Sequence, residues 1–162
     1  MHNLSKNIYI NTTFIISFFS LISAFYIEHI LGYQPCNLCL IERIPYALSI
    51  LILLINYKFE INQRGITLLL LIIFIFSIGI SIYHFGIEQG FFKESTLCST
   101  GNESEFQSKE ELLKELQKLN INCKDVTFRI LGFSLTTINI FISMFLIILL
   151  LKNLNINEKN KK

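Results

Sequence analysis

Ile66-Thr-Leu-Leu-Leu-Leu-Ile-Ile-Phe-Ile-Phe76 holds one hydroxyl and no charge, and wound as a helix it is apolar on every face. A helix on the surface of a soluble domain shows a polar stripe instead. The uncharged run around it fills the 23 positions between Arg64 and Glu88. At about 1.5 Å of rise per residue, such a helix covers the roughly 30 Å hydrocarbon core of a bilayer. Two other runs match it: 21 uncharged residues from Asn7 to Ile27, and 22 between Arg129 and Lys152. All three read as transmembrane helices. The first is longer than the h-region of a secretory signal, about 7–15 residues, and Ser23-Ala24 is followed by aromatic and apolar residues, so it is expected to be retained.

A fourth span is less obvious. Only 14 uncharged residues separate Arg43 from Lys58, and a helix that short does not cross a bilayer. Extending it back to Leu38 gives about 20 residues, enough to span, but places Glu42 and Arg43 inside the span. An even number of crossings also returns the chain to its starting side. The expectation is an all-α membrane protein, a single domain over 1–162 with helices at about 8–30, 38–57, 65–86 and 129–151. Loops at about 31–37 and 87–128 share one side of the membrane.

Whole-chain composition conceals this. The 162 residues are 52% hydrophobic and 16% charged with a net charge of +2, against about 45–50% and 25% in soluble domains. That excludes disorder, a collagen-like chain and a strongly basic nucleic-acid binder. The distribution of charge says more. Lys6, Lys58, Arg64, Lys152, Lys159, Lys161 and Lys162 flank the spans on one side with Glu60 and Glu158, while Gly86–Thr127 carries eight acids and five lysines. The positive-inside rule puts both termini in the cytoplasm. Cys36, Cys39, Cys98 and Cys123 then all lie on the opposite side.

Thiols in an oxidising compartment pair as disulfides, and four cysteines allow three pairings. Cys36 and Cys39 form a Cys-x-x-Cys at the start of the second span, with Arg43 four residues beyond Cys39 on the same helical face. A cysteine near a helix N-terminus has its thiolate stabilised by the helix dipole and nearby cations. Pro45 is expected to kink that turn. Three readings suit the cysteines: a zinc site, two structural disulfides, or redox exchange. Zinc sites usually join two close dyads, whereas 24 residues separate Cys98 from Cys123. No metal is therefore assigned. An ionisable group at the depth of Arg43 is costly and usually functional, which favours exchange. Its plainer role is an interfacial anchor paired with Glu42. Glu28 and His29 read as solvated boundary residues. Ser108-Lys-Glu-Glu111 is a capping box before Leu112, Leu113, Leu116 and Leu119, so Lys109–Leu119 is expected to be a short amphipathic helix lying on the membrane.

Cys36-Asn-Leu-Cys39-Leu-Ile-Glu-Arg43 resembles the first extracytoplasmic loop of the DsbB family of bacterial disulfide-bond formation proteins. Tyr83-His84-Phe85-Gly86-Ile87-Glu88-Gln89-Gly90, Cys98, and Cys123 with Leu131-Gly132-Phe133-Ser134 are similar to the family's later landmarks in the same order. The resemblance extends from about Tyr26 to Asn139. Vitamin K epoxide reductase proteins share the chemistry but place their loop cysteines before the Cys-x-x-Cys.

The resemblance implies a thiol:quinone oxidoreductase in the bacterial inner membrane, with its cysteines facing the periplasm. A reduced DsbA-like oxidase of thioredoxin fold would attack the Cys98–Cys123 disulfide through Cys98, and Cys123 would pair transiently with Cys36. Cys39 would hand the electrons to ubiquinone or menaquinone, and the quinol would connect the protein to the respiratory chain. Arg43 and His84 are the expected quinone contacts. Membrane lipid is the other expected partner; nucleic acid is not. The competing class is a non-catalytic membrane scaffold with two structural disulfides.

Overall fold

A computed structural model describes residues 2–59, 62–93, 123, 129–130 and 132–159. Cys98 and the expected amphipathic helix at Lys109–Leu119 lie outside the described residues. Four helices dominate: α1 (His2–His29), α2 (Asn37–Phe59), α3 (Gln63–Glu88) and α4 (Leu135–Lys159). Each contains a stretch long and apolar enough to cross a membrane. They form a ring in which α1 packs on α2, α2 on α3, α3 on α4 and α4 back on α1. The protein is a multi-pass membrane protein built as a four-helix bundle.

The last helix starts later than 129, where its expected span begins. Arg129–Ile130 (β1) and Phe133–Ser134 (β2) pair antiparallel, with Ile130 opposite Phe133. Gly132 supplies the turn with φ +87°, a left-handed conformation open to glycine. Ser134 then caps the helix, its Oγ accepting from the Thr137 amide at 3.2 Å. At the other end α4 continues past Lys152 to Lys159. A charge ends an apolar span, but it does not end a helix.

Other boundaries also have local causes. Asn62 caps α3 by accepting from the Arg64 amide at 3.2 Å. At the far end, the Phe91 amide bonds the Gly86 carbonyl at 2.8 Å and the Gly90 amide bonds that of Ile87 at 3.0 Å. With Gly90 at φ +78°, this is a Schellman cap, which stops α3 just after Glu88. α2 remains one helix through Pro45.

Polarity is inverted relative to a soluble bundle. Phe76 and Ile72 are 67% and 66% exposed, whereas Ser17, Ser49, Ser77 and Ser143 are completely buried. Small hydroxyl residues let helices approach and bond across the interfaces. Ser49 donates to Ser17 at 3.0 Å, joining α2 to α1, and Ser77 meets Ser143 at 3.3 Å between α3 and α4. Asn153 donates to Thr67 at 3.0 Å near the other end of the same pair. Phe74, Leu70, Leu146 and Leu150 fill the apolar centre.

Candidate redox site

The cysteines gather at one end of the bundle, where α2 begins. Cys36 is the N-cap residue: its carbonyl accepts the first helical bond, from the Leu40 amide at 3.2 Å. Its sulfur accepts from the Cys39 amide at 3.3 Å, replacing the oxygen an N-cap usually supplies. One helical turn brings the two sulfurs to 2.9 Å, in hydrogen-bond contact as thiols. The Cys36 thiol is held well below the usual thiol range, first by the Cys39 thiol and then by His84 and the Cys39 amide, against the opposing effect of burial.

Cys123 completes the cluster. It is buried and packs with Cys36, Leu38 and Ile87, with Cys39, Ile41 and Tyr83 around them. A residue 87 positions from Cys36 in the chain thus stands against the dyad.

His84, from the last turns of α3, enters the same cluster. Its Nε2 lies 3.6 Å from the Cys36 sulfur, and its Nδ1 lies 3.0 Å from Glu42 Oε1. Thr136 on α4 stands 3.2 Å from Nδ1 and donates to Glu88 Oε1 at 2.6 Å. Asn139, one turn further along α4, donates to Glu42 Oε2 at 3.2 Å and to Ser81 at 2.7 Å, and accepts from the Tyr46 hydroxyl. The polar network therefore crosses three helices. The sulfurs and one His84 nitrogen lie within 4.8 Å of one another, close enough for a metal ion to bridge. Cysteine spacing alone does not reveal this trio, because one donor comes from a helix distant in sequence.

Arg43 and Glu42, adjacent in the chain, go separate ways. Arg43 forms an ion pair with Glu28 of α1, bonds the Ala24 carbonyl at 3.5 Å and lies over the Phe25 ring at 5.3 Å. Glu42 turns inward to His84. The anchor pairing of Arg43 with Glu42 is therefore replaced by a link between α1 and α2. Glu28, expected to be solvated, is the residue that orients the arginine. Because α1 packs on α2, the partner comes from the neighbouring helix; adjacent positions on one helix do not face each other.

The sulfurs and most of the polar groups around them open onto one cavity of about 520 Å³, walled by Ile15, Phe19 and Ile27 of α1 and by Leu135 and Ile142 of α4. Cys36, Cys39, Glu42, Arg43, His84, Glu88 and Cys123 line it as well. An apolar slot with a few convergent polar groups at one end is the usual form of a small-molecule site. Glu88 Oε2 is buried there without a hydrogen-bond partner among the described residues. An acceptor left unpaired suits a ligand that carries a hydroxyl in one of its states.

The sequence profile described as "Disulfide bond formation protein DsbB" matches residues 6–152. A relative from Rickettsia prowazekii (strain Madrid E), described as "Uncharacterized protein RP370", is 30% identical over 137 residues, covering 83% of this chain and 80% of its own. No solved structure matches. The profile match takes in Cys36 through Cys123 and enters all four helices; the chain belongs to the DsbB family of disulfide bond formation proteins.

Proposed function

We propose that the protein is a thiol:quinone oxidoreductase that reoxidises a soluble DsbA-like disulfide oxidase and passes the electrons to a membrane quinone. The observation that carries this reading is the position of the Cys36–Cys39 pair. It sits at a helix N-terminus, in one buried cluster with Cys123 and open to an apolar cavity. A purely structural disulfide has no need of either neighbour.

The exchange proceeds by thiolate attack on sulfur. The partner's thiolate attacks Cys98 of the Cys98–Cys123 disulfide and releases Cys123 as thiolate. Cys123 attacks Cys36, the Cys36–Cys39 bond breaks, and Cys39 leaves as thiolate. The placing of Cys123 in the same buried cluster as Cys36 suits that step. Arg43 and His84, with Cys39, would hold ubiquinone or menaquinone by its oxygens, and the apolar walls from α1 and α4 suit an isoprenoid tail. The quinone supplies a two-electron, two-proton sink. Such a sink is needed because a DsbA-like partner is itself strongly oxidising, near about −120 mV. The charge distribution favours cytoplasmic termini and a periplasmic site in the inner membrane.

Removing Cys39 tests the order of exchange. In Cys39→Ser, Cys36 attacks the loop disulfide and the resulting Cys36–Cys123 bond has no neighbouring thiol to resolve it. Mass spectrometry of non-reduced peptides should find that linkage, with Cys98 released as a thiol. Cys98–Cys123 alone, beside an unreacted Cys36, would favour two structural disulfides and a scaffold.

A further inference from the structure

We propose that Glu42 is a positioning residue that fixes the tautomer of His84, so that His84 Nε2 takes the proton of Cys36 and makes Cys36 the nucleophile of the reduced pair. This deepens the exchange reading of the same site and rests on it.

Proton counting at His84 carries the inference. Thr136 has one hydroxyl proton, which it donates to Glu88 Oε1 at 2.6 Å. Towards His84 Nδ1, 3.2 Å away, that hydroxyl can therefore only accept. The other neighbour of Nδ1 is Glu42 Oε1 at 3.0 Å, and a carboxylate also only accepts. With Glu42 as the carboxylate, Nδ1 carries the proton, and the neutral ring keeps its lone pair on Nε2. Nε2 faces the Cys36 sulfur at 3.6 Å. An acid that orients a histidine towards a thiol or hydroxyl is a general device for making a nucleophile.

Glu42 is itself held in register. Asn139 donates to its second oxygen at 3.2 Å, and its side chain is only 9% exposed. The groups around His84 are Cys36, Cys39 and Glu42 from the start of α2, Glu88 on its own helix, and Thr136 from α4. The charged pair from α1 and α2, Glu28 with Arg43, is satisfied within itself. Once protonated, the imidazolium lies between Glu42 and Glu88, whose Oε1 is 3.9 Å from Nε2. The lowered Cys36 thiol agrees with this arrangement.

The chemistry balances. The Cys36 S–H bond breaks and an Nε2–H bond forms. Oxidation of the pair would then form the Cys36–Cys39 S–S bond, break the Cys39 S–H bond and pass one electron pair to a quinone acceptor. The proton on His84 and the one from the Cys39 thiol follow it, giving one disulfide and one quinol.

The test needs neither quinone nor partner, so it can fail while quinone reduction succeeds, or the reverse. The full-length protein in detergent is reduced, and iodoacetamide alkylation of each cysteine is followed by mass spectrometry from pH 3 to pH 9. Cys36 should react at pH 6 far faster than an ordinary thiol, with Cys39 lagging. Glu42→Gln should move the Cys36 profile about one pH unit higher, which slows alkylation about tenfold only on the acidic side of the midpoint. Glu42→Asp should restore part of the rate. A Cys36 profile in a folded Glu42→Gln protein that superimposes on the parent overturns the proposal. The unaltered chain provides a second arm independent of any variant's folding. In the reduced state, the 15N spectrum should show His84 protonated on both nitrogens. Nε2–H with a bare Nδ1 overturns the proposal equally.

Discussion

Arg43 is a cation in the first turns of a membrane span, already paired with Glu28 and lining the cavity beside Cys39. Its proposed work concerns the quinone, not the partner. Arg43→Ala should cut quinone reduction by at least about tenfold, the cost of one charge-assisted hydrogen bond of about 1.5–3 kcal/mol. Thiol exchange with the partner should change by less than a factor of two to three. Stopped-flow measurement of the two half-reactions separates them, and equal losses would contradict the assignment. Cys36 makes a different prediction. Its thiol is brought down to about 4 in the folded reduced protein, against about 8.5 for a free cysteine. A depressed pKa stabilises the fold fully above the unfolded value and loses that contribution as pH falls through the folded one. The extra thermal stability of the reduced parent over Cys36→Ala should therefore be largest at pH 8–9 and shrink steadily towards pH 4. A gap that widens on acidification would contradict it.

At the level of elements, helix ends decide where the site groups stand. The Schellman cap stops α3 after Glu88, leaving His84 and Glu88 one turn apart at the end that meets α2 and α4. Gly90 takes its φ of +78° in open space, so an added Cβ meets no neighbour and the cost is conformational only. Gly90→Ala should destabilise the bundle by about 1–2 kcal/mol, the usual penalty of a left-handed residue with a side chain. Unfolding in mixed micelles measures it, and an unchanged midpoint would show that the cap does not hold this end. Part of this was legible from residues alone. Uncharged runs located three spans, extending a short run back to Leu38 located the fourth, and Cys39 and Arg43 share one helical face by spacing. The hairpin at Arg129–Ser134 was not, because its sequence continues the apolar pattern of α4 and only Gly132 and Ser134 mark the break. Glu42 was noticed as an anomaly within a short span. Its partner His84, 42 positions away, becomes visible only once α2 and α3 are packed.

Across the whole molecule, the inversion of polarity unites fold and function. The exterior is apolar, and beside an apolar centre the interior holds serines, threonines, asparagines and a histidine that tie the helices together by hydrogen bonds. At the cysteine end the same polar interior becomes chemistry: two carboxylates, an imidazole and three sulfurs converge beside a cavity between α1 and α4. Glu28 was misjudged from the sequence because its partner lies on another helix, and a residue at a span boundary is solvated only if no neighbour covers it. In the proposed function, electrons cross this site from a soluble dithiol to a membrane quinone. The direct measurement is quinol formed, by absorbance, when the purified protein is mixed anaerobically with a reduced DsbA-like protein and excess ubiquinone or menaquinone. One quinol should form for each partner disulfide made, and none with Cys39→Ser. A parent protein that leaves the quinone oxidised, with both of its own disulfides formed, would contradict it.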